Sequence, residues 1–499
     1  MKRFLILLFV LTMLKHANSQ QWSFEYPCGE NEYAHFMAGD KSLHYNYVVG
    51  GIYGDNPDLP SAIALCIREN GEYNDKVFKG NSMKMSFITA LGLNDGNVFV
   101  AAACSDNHEK NVYEKLWIAV MDPNLDILSE KIMEVDEHYI SYGLSAQALL
   151  NDNNEIVLVT VVTDSISLHT VIEYDFSFYK FDCFCNLLKQ SYLENPSYHS
   201  EITDFIKVAN TDCYAMFGNG MHITGVETVS YIDDDLNYIS TSIIDDMSNY
   251  PNNILPRFIS VDYWYDENHF LMSAMSAHTE GINDWHPIVI KMDKDMNVEK
   301  SLSFERVDTT DYVSQYRSMA CVNSDKIYIS TFWQNSSGFE LYPNTATVFL
   351  INDKLDLLGR KDFESDAFID ILYIQPTYDE GCIIQAYKIY KTHKVPVISK
   401  LKSEDFEIVT KLIDYECDID VGSYPNPVSS VLNINTDFII DVNVRIVVYD
   451  ILGRRYLDKE LRLDGDKLTL DVSPLVDGAY FYEVIIDEKC VLKEKFIKR

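Results

Sequence analysis

The sequence predicts an all-β chain, a seven-bladed β-propeller followed by a small antiparallel, Ig-like β-sandwich. Three observations carry this expectation. A polar turn leading into an apolar strand recurs seven times at nearly constant spacing. A second turn rich in Asp and Asn follows each copy by about 25 to 30 residues. The last 76 residues then leave that rhythm for short strands of period-two alternation.

The chain opens with Met1-Lys2-Arg3, an apolar run over 4–14 and the small residues Ala17-Asn18-Ser19, the order of a secretory leader. We assign 1–19 to a signal peptide cut near Ser19. Its apolar run is too short for a permanent anchor, and no other stretch predicts a transmembrane segment.

The propeller is assigned to 20–415. The first turn begins at Gly39, Asn94, Asn151, Asn210, Asp266, Asn323 and Tyr378, at intervals of 55, 57, 59, 56, 57 and 55 residues. The second reads IRENGEY, VMDPNLDIL, YDFSFYKF, YIDDDLNYI, KMDKDMNVE, INDKLDLL and LKSEDFEIV. Side chains of Asp and Asn hold the backbone in such turns, so each unit is strand, turn, strand, loop, strand, turn, strand. A four-stranded unit cannot bury both faces alone, so neighbours stack, and seven of them close into a propeller. The seventh copy predicts four strands of its own, with Trp22 to Tyr26 as an addition to its edge.

In an up-and-down blade the two short turns share one face of the ring and the variable loops share the other. Function concentrates on loops held by a rigid scaffold. The candidate ligand-binding residues are therefore His108, Tyr113, Tyr139, Tyr142, Tyr198, His199, Tyr250, His278, Trp285, His286, Tyr312, Trp333 and Tyr342. Exposed aromatic rings suit sugar faces or protein partners. The alternative is that these rings pin the loops to the blades. A catalytic set is not legible. A glycosidase needs two carboxylates roughly 5–10 Å apart, and Asp204, Asp262 and Asp370 lie on expected inner strands near the channel. Asp233-Asp234-Asp235 and Asp293 to Asn297 fall in the recurring turn and are read as turns, not as calcium loops. No CxxC pair, HExxH, GxSxG or P-loop occurs, so we expect no metal and no cofactor. Asp164-Ser165-Ile166 and Asp308-Thr309-Thr310 have the form of a short O-glycosylation motif.

Residues 416–423 read as a linker to a tail over 424–499. Pro425, Asn426 and Pro427 give a stiff entry, Leu452-Gly453-Arg454 a turn, and Gly478 and Tyr480 open a strand after a second turn. About seven short strands suggest a sandwich. These three motifs, YPNPVSSVLNI, VVYDILGRRYL and the closing VDGAYFYEVIIDEKCVLKEKFIKR, resemble in content and order the type A C-terminal sorting domain of proteins exported by the type IX secretion system of Bacteroidetes. The resemblance implies recognition by the type IX machinery, delivery to the outer-membrane surface or the medium, and removal of the tail on arrival. It implies nothing about an activity.

The chain carries 41 basic and 76 acidic residues, net −35. Setting aside 3 basic residues in the leader and 11 basic and 13 acidic in the tail leaves 27 basic and 63 acidic residues between them. That balance argues against nucleic acid, whose phosphates need clustered Lys and Arg. Ten cysteines permit disulfides in an exported chain. Cys66, Cys104, Cys213, Cys321 and Cys382 sit in apolar strand patterns and read as buried thiols. Cys183 and Cys185 are expected to alternate along a strand.

Overall fold

A computed structural model describes residues 21–408 and 423–499, except 30–31, 55–59, 80–82, 108–112, 136–138, 141–145, 164–173, 195–198, 221–226, 245–256, 265–268, 278–284, 294–296, 305–309, 314–316, 335–344, 366, 391–392, 425, 436–442, 451–453, 463–466 and 487–488. The leader, linker residues 416–422, Asp164 to Ile166, Asp308 and Thr309 lie outside the described residues. The chain divides into two compact units, 1–409 and 410–499.

The first unit is a seven-bladed propeller, each blade an antiparallel sheet numbered from its inner strand outward. Blade 1 is Tyr33–Ser42, Tyr45–Tyr53, Ser61–Arg68 and Tyr73–Phe78. Blade 2 is Lys84–Gly92, Val98–Ser105, Lys115–Met121 and Ile127–Glu134. Blades 3 to 6 start from the inner strands Ala146–Leu150, His199–Lys207, Arg257–Trp264 and Met319–Asn323. Blade 7 is Phe368–Pro376, Cys382–Ile389 and Lys394–Leu401, with Trp22–Glu25 as its fourth strand.

Blade 7 corrects one expectation. The segment after Leu401 does not return as a fourth strand. Ser403–Asp405 forms a 3-10 turn, and Glu407–Ile408 pairs with Gly359 and Arg360 on the outer edge of blade 6. The vacant edge of Lys394–Leu401 is filled by the N-terminal strand, with Trp22 opposite Lys400 and Glu25 opposite Val397. The ring is thus closed by joining the two ends of the propeller sequence.

Burial explains the strand compositions. Strands inside a blade are covered by both neighbouring blades, so VFVAAACS over Val98–Ser105 is buried at every position. The outermost strands face water, and LLKQSYL over Leu187–Leu193 alternates half-buried with exposed. One apolar cluster occupies each of the seven junctions. Phe99 and Phe181 lie in the cluster between blades 2 and 3, and Ile63 and Ile398 in the cluster between blades 1 and 7.

The inner strands are not regular. Register shifts occur at Phe36/Ala38, Phe87/Thr89, Ile202/Asp204, Phe258/Ser260 and Ile371/Tyr373. In blades 3 and 6 the inner strand is broken instead, into Tyr139–Ile140 with Ala146–Leu150 and Thr310–Val313 with Met319–Asn323. Bulges raise the local twist, which the crowded axis of a ring demands.

The hairpin turns tie each blade to the next. Lys76 Nζ donates to the Leu125 carbonyl, Ser129 Oγ to that of Phe184 and Ser191 Oγ to that of Leu236. In the outer turns of blades 2, 3, 4 and 6 a buried residue has left-handed backbone: Leu125 (φ 63°), Cys185 (φ 60°), Leu236 (φ 59°) and Leu355 (φ 57°). An Asp or Asn at the turn's start holds it, as where Asp182 Oδ1 accepts the Phe184 and Asn186 amides at 2.8 and 2.9 Å. The third repeat therefore turns at 182–186, whereas YDFSFYKF is the strand Tyr174–Phe181. Cys183 and Cys185 belong to this turn, not to a strand. Cys183 is exposed and Cys185 buried. Cys66, Cys104 and Cys382 are free and buried, Cys28 and Cys213 are free and partly buried, and Cys321 is partly buried.

The second unit is a sandwich of two sheets, Ser423–Tyr424, Val431–Asn435 and Lys467–Asp471 against Arg455–Arg462, Asn443–Asp450, Gly478–Ile486 and Lys489–Lys498. Leu432, Ile446, Leu470, Tyr482 and Phe496 lie in its core, each fully buried.

Candidate binding face

The lumen is built first. Asp40 Oδ2 accepts the Gly92 amide at 2.9 Å, joining the inner strands of blades 1 and 2. Asp204 does the same between blades 4 and 5: Oδ2 accepts the Val261 amide at 2.9 Å and Oδ1 the Phe205 amide at 3.0 Å. Asp204 is therefore a buried cross-blade tie and not a solvated channel carboxylate. Between blades 6 and 7, Arg317 donates from Nη1 to Tyr373 Oη at 3.2 Å, and that hydroxyl donates to the Gly39 carbonyl of blade 1 at 3.1 Å. Asp262 lies on an inner strand, and its side chain is outside the described residues.

Toward the loop face a different set converges where blades 7 and 1 meet. Tyr387 donates to the Ala34 carbonyl at 2.6 Å, and its ring centroid is 5.7 Å from that of His35. Lys394 Nζ lies over the same ring at 5.7 Å. Asp370 sits opposite Tyr387 across the sheet, so the two share a face. Burial pushes the Asp370 carboxyl up to about 6, against the pull of Lys394. Burial, helped by Lys394, pushes the His35 imidazole down to about 4, so it is neutral near pH 7.

Two stacked ring pairs flank this set. Tyr33, 38% exposed, lies on the buried Tyr53 at 4.9 Å and 11°. Tyr390 and the exposed His393 stack at 4.8 Å and 14° in the hairpin that leads to Lys394. The result is a rim of flat aromatic faces around one cation, one poised carboxyl and one neutral imidazole.

The residues expected from sequence divide three ways. His108, Tyr142, Tyr198, Tyr250, His278 and Tyr342 lie outside the described residues. His199, Trp285, His286, Tyr312 and Trp333 stand at the loop-face ends of strands, not within loops, Trp285 and His286 pairing with Ala277 and Ser276. Tyr113 is buried between blades 2 and 3 with Lys84 Nζ 4.7 Å from its ring centre, and Tyr139 is half-buried. The rim residues Tyr33, His35, Tyr390, His393 and Lys394 were missed. Pairing across the junction of blades 7 and 1 is a contact between the two ends of the repeat array, which no local sequence pattern announces.

In the tail, Asn426 Oδ1 accepts the Ile497 amide at 2.9 Å, the Val428 amide donates to the Ile497 carbonyl at 2.8 Å, and the Asn426–Pro427 bond is cis. The entry motif is thereby fastened to the last strand. Arg454 donates from Nε to Asp450 at 2.7 Å, and buried Tyr480 donates to the Val476 carbonyl at 2.9 Å beside Gly478. Pro425, Leu452 and Gly453 lie outside the described residues. Residues 423–499 match the family described as secretion system C-terminal sorting domain. The tail is a type IX sorting domain. A sorting domain marks the protein as one exported by that route, to the cell surface or beyond it. Among the described residues no helix is long and apolar enough to cross a membrane.

No curated protein matches the chain. Solved structures similar to it include the β-propeller domain of the Trilobed protease from Pyrococcus furiosus, at 12% identity over 77% of this chain and 99% of that one, with a TM-score of 0.43. A neuraminidase-like protein of influenza A from the little yellow-shouldered bat matches at 10% identity over 77% and 98%, with a TM-score of 0.35. Pyrococcus horikoshii acylaminoacyl peptidase matches at 11% identity over 82% of this chain, with a TM-score of 0.40, and the chain spans 59% of that protein's length. The assignment of the fold rests on the sheet topology itself.

Proposed function

We propose that the protein is a binding propeller of the bacterial surface or medium, which takes a glycan or protein ligand on its loop-rich face. The observation that carries this reading is the rim at blades 7 and 1, where Tyr33 and the Tyr390–His393 pair present flat rings beside charged groups. Such rings bury area against sugar faces at little entropy cost. Tyr139, His199, Trp285, His286, Tyr312 and Trp333 extend the same face. A leader over 1–19 starts the export route. Attachment to the outer membrane and removal of the tail complete it.

The second reading is a surface hydrolase or lyase acting on a polysaccharide or peptide. Asp370, held near 6, is the observation in its favour, because a carboxyl poised there can serve as an acid or a base. Glycan-array screening of the purified protein separates the two. Binding that weakens in Tyr33→Ala and Trp285→Ala supports the first. Turnover of a polymer that is lost in Asp370→Asn, with no retained ligand, replaces it with the second.

A further inference from the structure

We propose that the ligand of this rim is an acidic, uronate-type glycan, with sugar faces against Tyr33 and the Tyr390–His393 pair and a carboxylate against Lys394. The inference deepens the glycan reading and rests on it. In a chain of net charge −35 an anionic ligand needs a local cation to receive it. Many of the described lysines are already committed. Lys76 pairs with Asp126, Lys189 with Asp235, and Lys400 and Lys402 with Asp379. Next to the rim, Lys388 is taken by Glu25 at 2.8 Å. Lys394 differs. It is exposed, its ammonium rests on the Tyr387 ring, and it acts on Asp370 without an ion pair to it. It stands beside the stacked His393, so a sugar lying on that pair places a ring carboxylate within its reach.

The test titrates the purified full-length protein with polygalacturonate, alginate and chondroitin and with their carboxyl-reduced counterparts, by calorimetry. The expected result is binding of at least one acidic polymer, lost or weakened on carboxyl reduction. Lys394→Ala should lower affinity for the acidic form about fivefold and leave the reduced form unchanged, while Lys394→Arg retains it. Tyr33→Ala should weaken both forms. Equal binding of acidic and reduced polymers overturns the inference and leaves the glycan reading standing. Binding of no polymer in either form overturns both.

Discussion

Gly71 and Trp22 meet at the seam of the ring, and removing either should weaken it in a way that depends on the other. Trp22, the first residue of the closing strand, donates from its indole to the Glu69 carbonyl of blade 1 at 3.1 Å. Its ring lies against Gly71, where a methyl group would sit 2.7 Å from the ring's Cγ and 3.0 Å from two further ring atoms. Gly71 also has φ +87°, a conformation that costs other residues roughly 1–2 kcal/mol. Truncating a fully buried Trp costs about 3–5 kcal/mol. Trp22 is half-buried, so Trp22→Ala should cost about 2 kcal/mol, including about 1 kcal/mol for the indole hydrogen bond. Gly71→Ala carries the backbone cost and also expels the ring, so it should cost about 3 kcal/mol in the intact protein. Once Trp22 is gone the three atoms nearest the methyl are gone with it, and the backbone cost remains. The double variant should therefore be more stable than the sum of the single losses by at least about 1 kcal/mol. All five tryptophans, at 22, 117, 264, 285 and 333, lie in the propeller, so urea unfolding followed by tryptophan fluorescence reports this unit alone. Additive single losses would refute a packed seam between Trp22 and Gly71.

Further outcomes follow from other parts of the molecule. Deleting Tyr424–Arg499 should leave the protein in the periplasm of its host, read by fractionation; normal surface delivery would contradict the role of the tail. Asp379 bonds Lys400 and Lys402 at 2.7 Å each, and Lys400, Lys402 and Thr377 together hold its carboxyl down at about 2. Its folded value lies below the unfolded one near 3.9, so its contribution of about 2–3 kcal/mol is full above pH 4 and lost as pH falls toward 2. Asp379→Asn should remove that part of the acid sensitivity in urea titrations at pH 5 and pH 2.5. Cys183 is exposed, whereas burial pushes the Cys104 thiol up to about 12 and those of Cys66 and Cys185 to about 11. Alkylation of the native protein at pH 7.5 should mark Cys183 before any of these three, as peptide mapping would show.

The repeat was legible because each blade solves the same local problem. An Asp or Asn must hold a tight turn, and two strands must be apolar on both faces. That is why NDGNVFVAAAC announces blade 2 and why the Ig-like sandwich can be read from the alternation over 431–448. The seam was not legible. Trp22–Glu25 lies far in sequence from Lys394–Leu401, and its partner is set by which edge is left vacant when LKSEDFEIV turns away to blade 6. The third repeat misled for a smaller reason. YDFSFYKF carries an Asp and a Ser, as a turn would, yet the spacing of Asp182 to Asn186 matches Asp233 to Asn237 and Asp293 to Asn297, where the first carboxylate accepts the fifth residue's amide. The fixed five-residue frame is the signal, not acidity. The candidate site inherits the seam's difficulty. Loop aromatics could be named from sequence, but the set of Asp370, His35, Tyr387 and Lys394 exists because the ring closes between blades 7 and 1.

Closure by the N-terminal strand is the claim on which the rest depends, and one cross-link tests it. Ser23 and Ser399 face each other across the seam with their hydroxyls 2.8 Å apart. In a Ser23→Cys, Ser399→Cys double variant oxidised at low concentration, peptide mapping should find residues 23 and 399 joined within one chain. Free thiols at both positions, or links formed only between two molecules, would contradict the closed ring and the site built upon it.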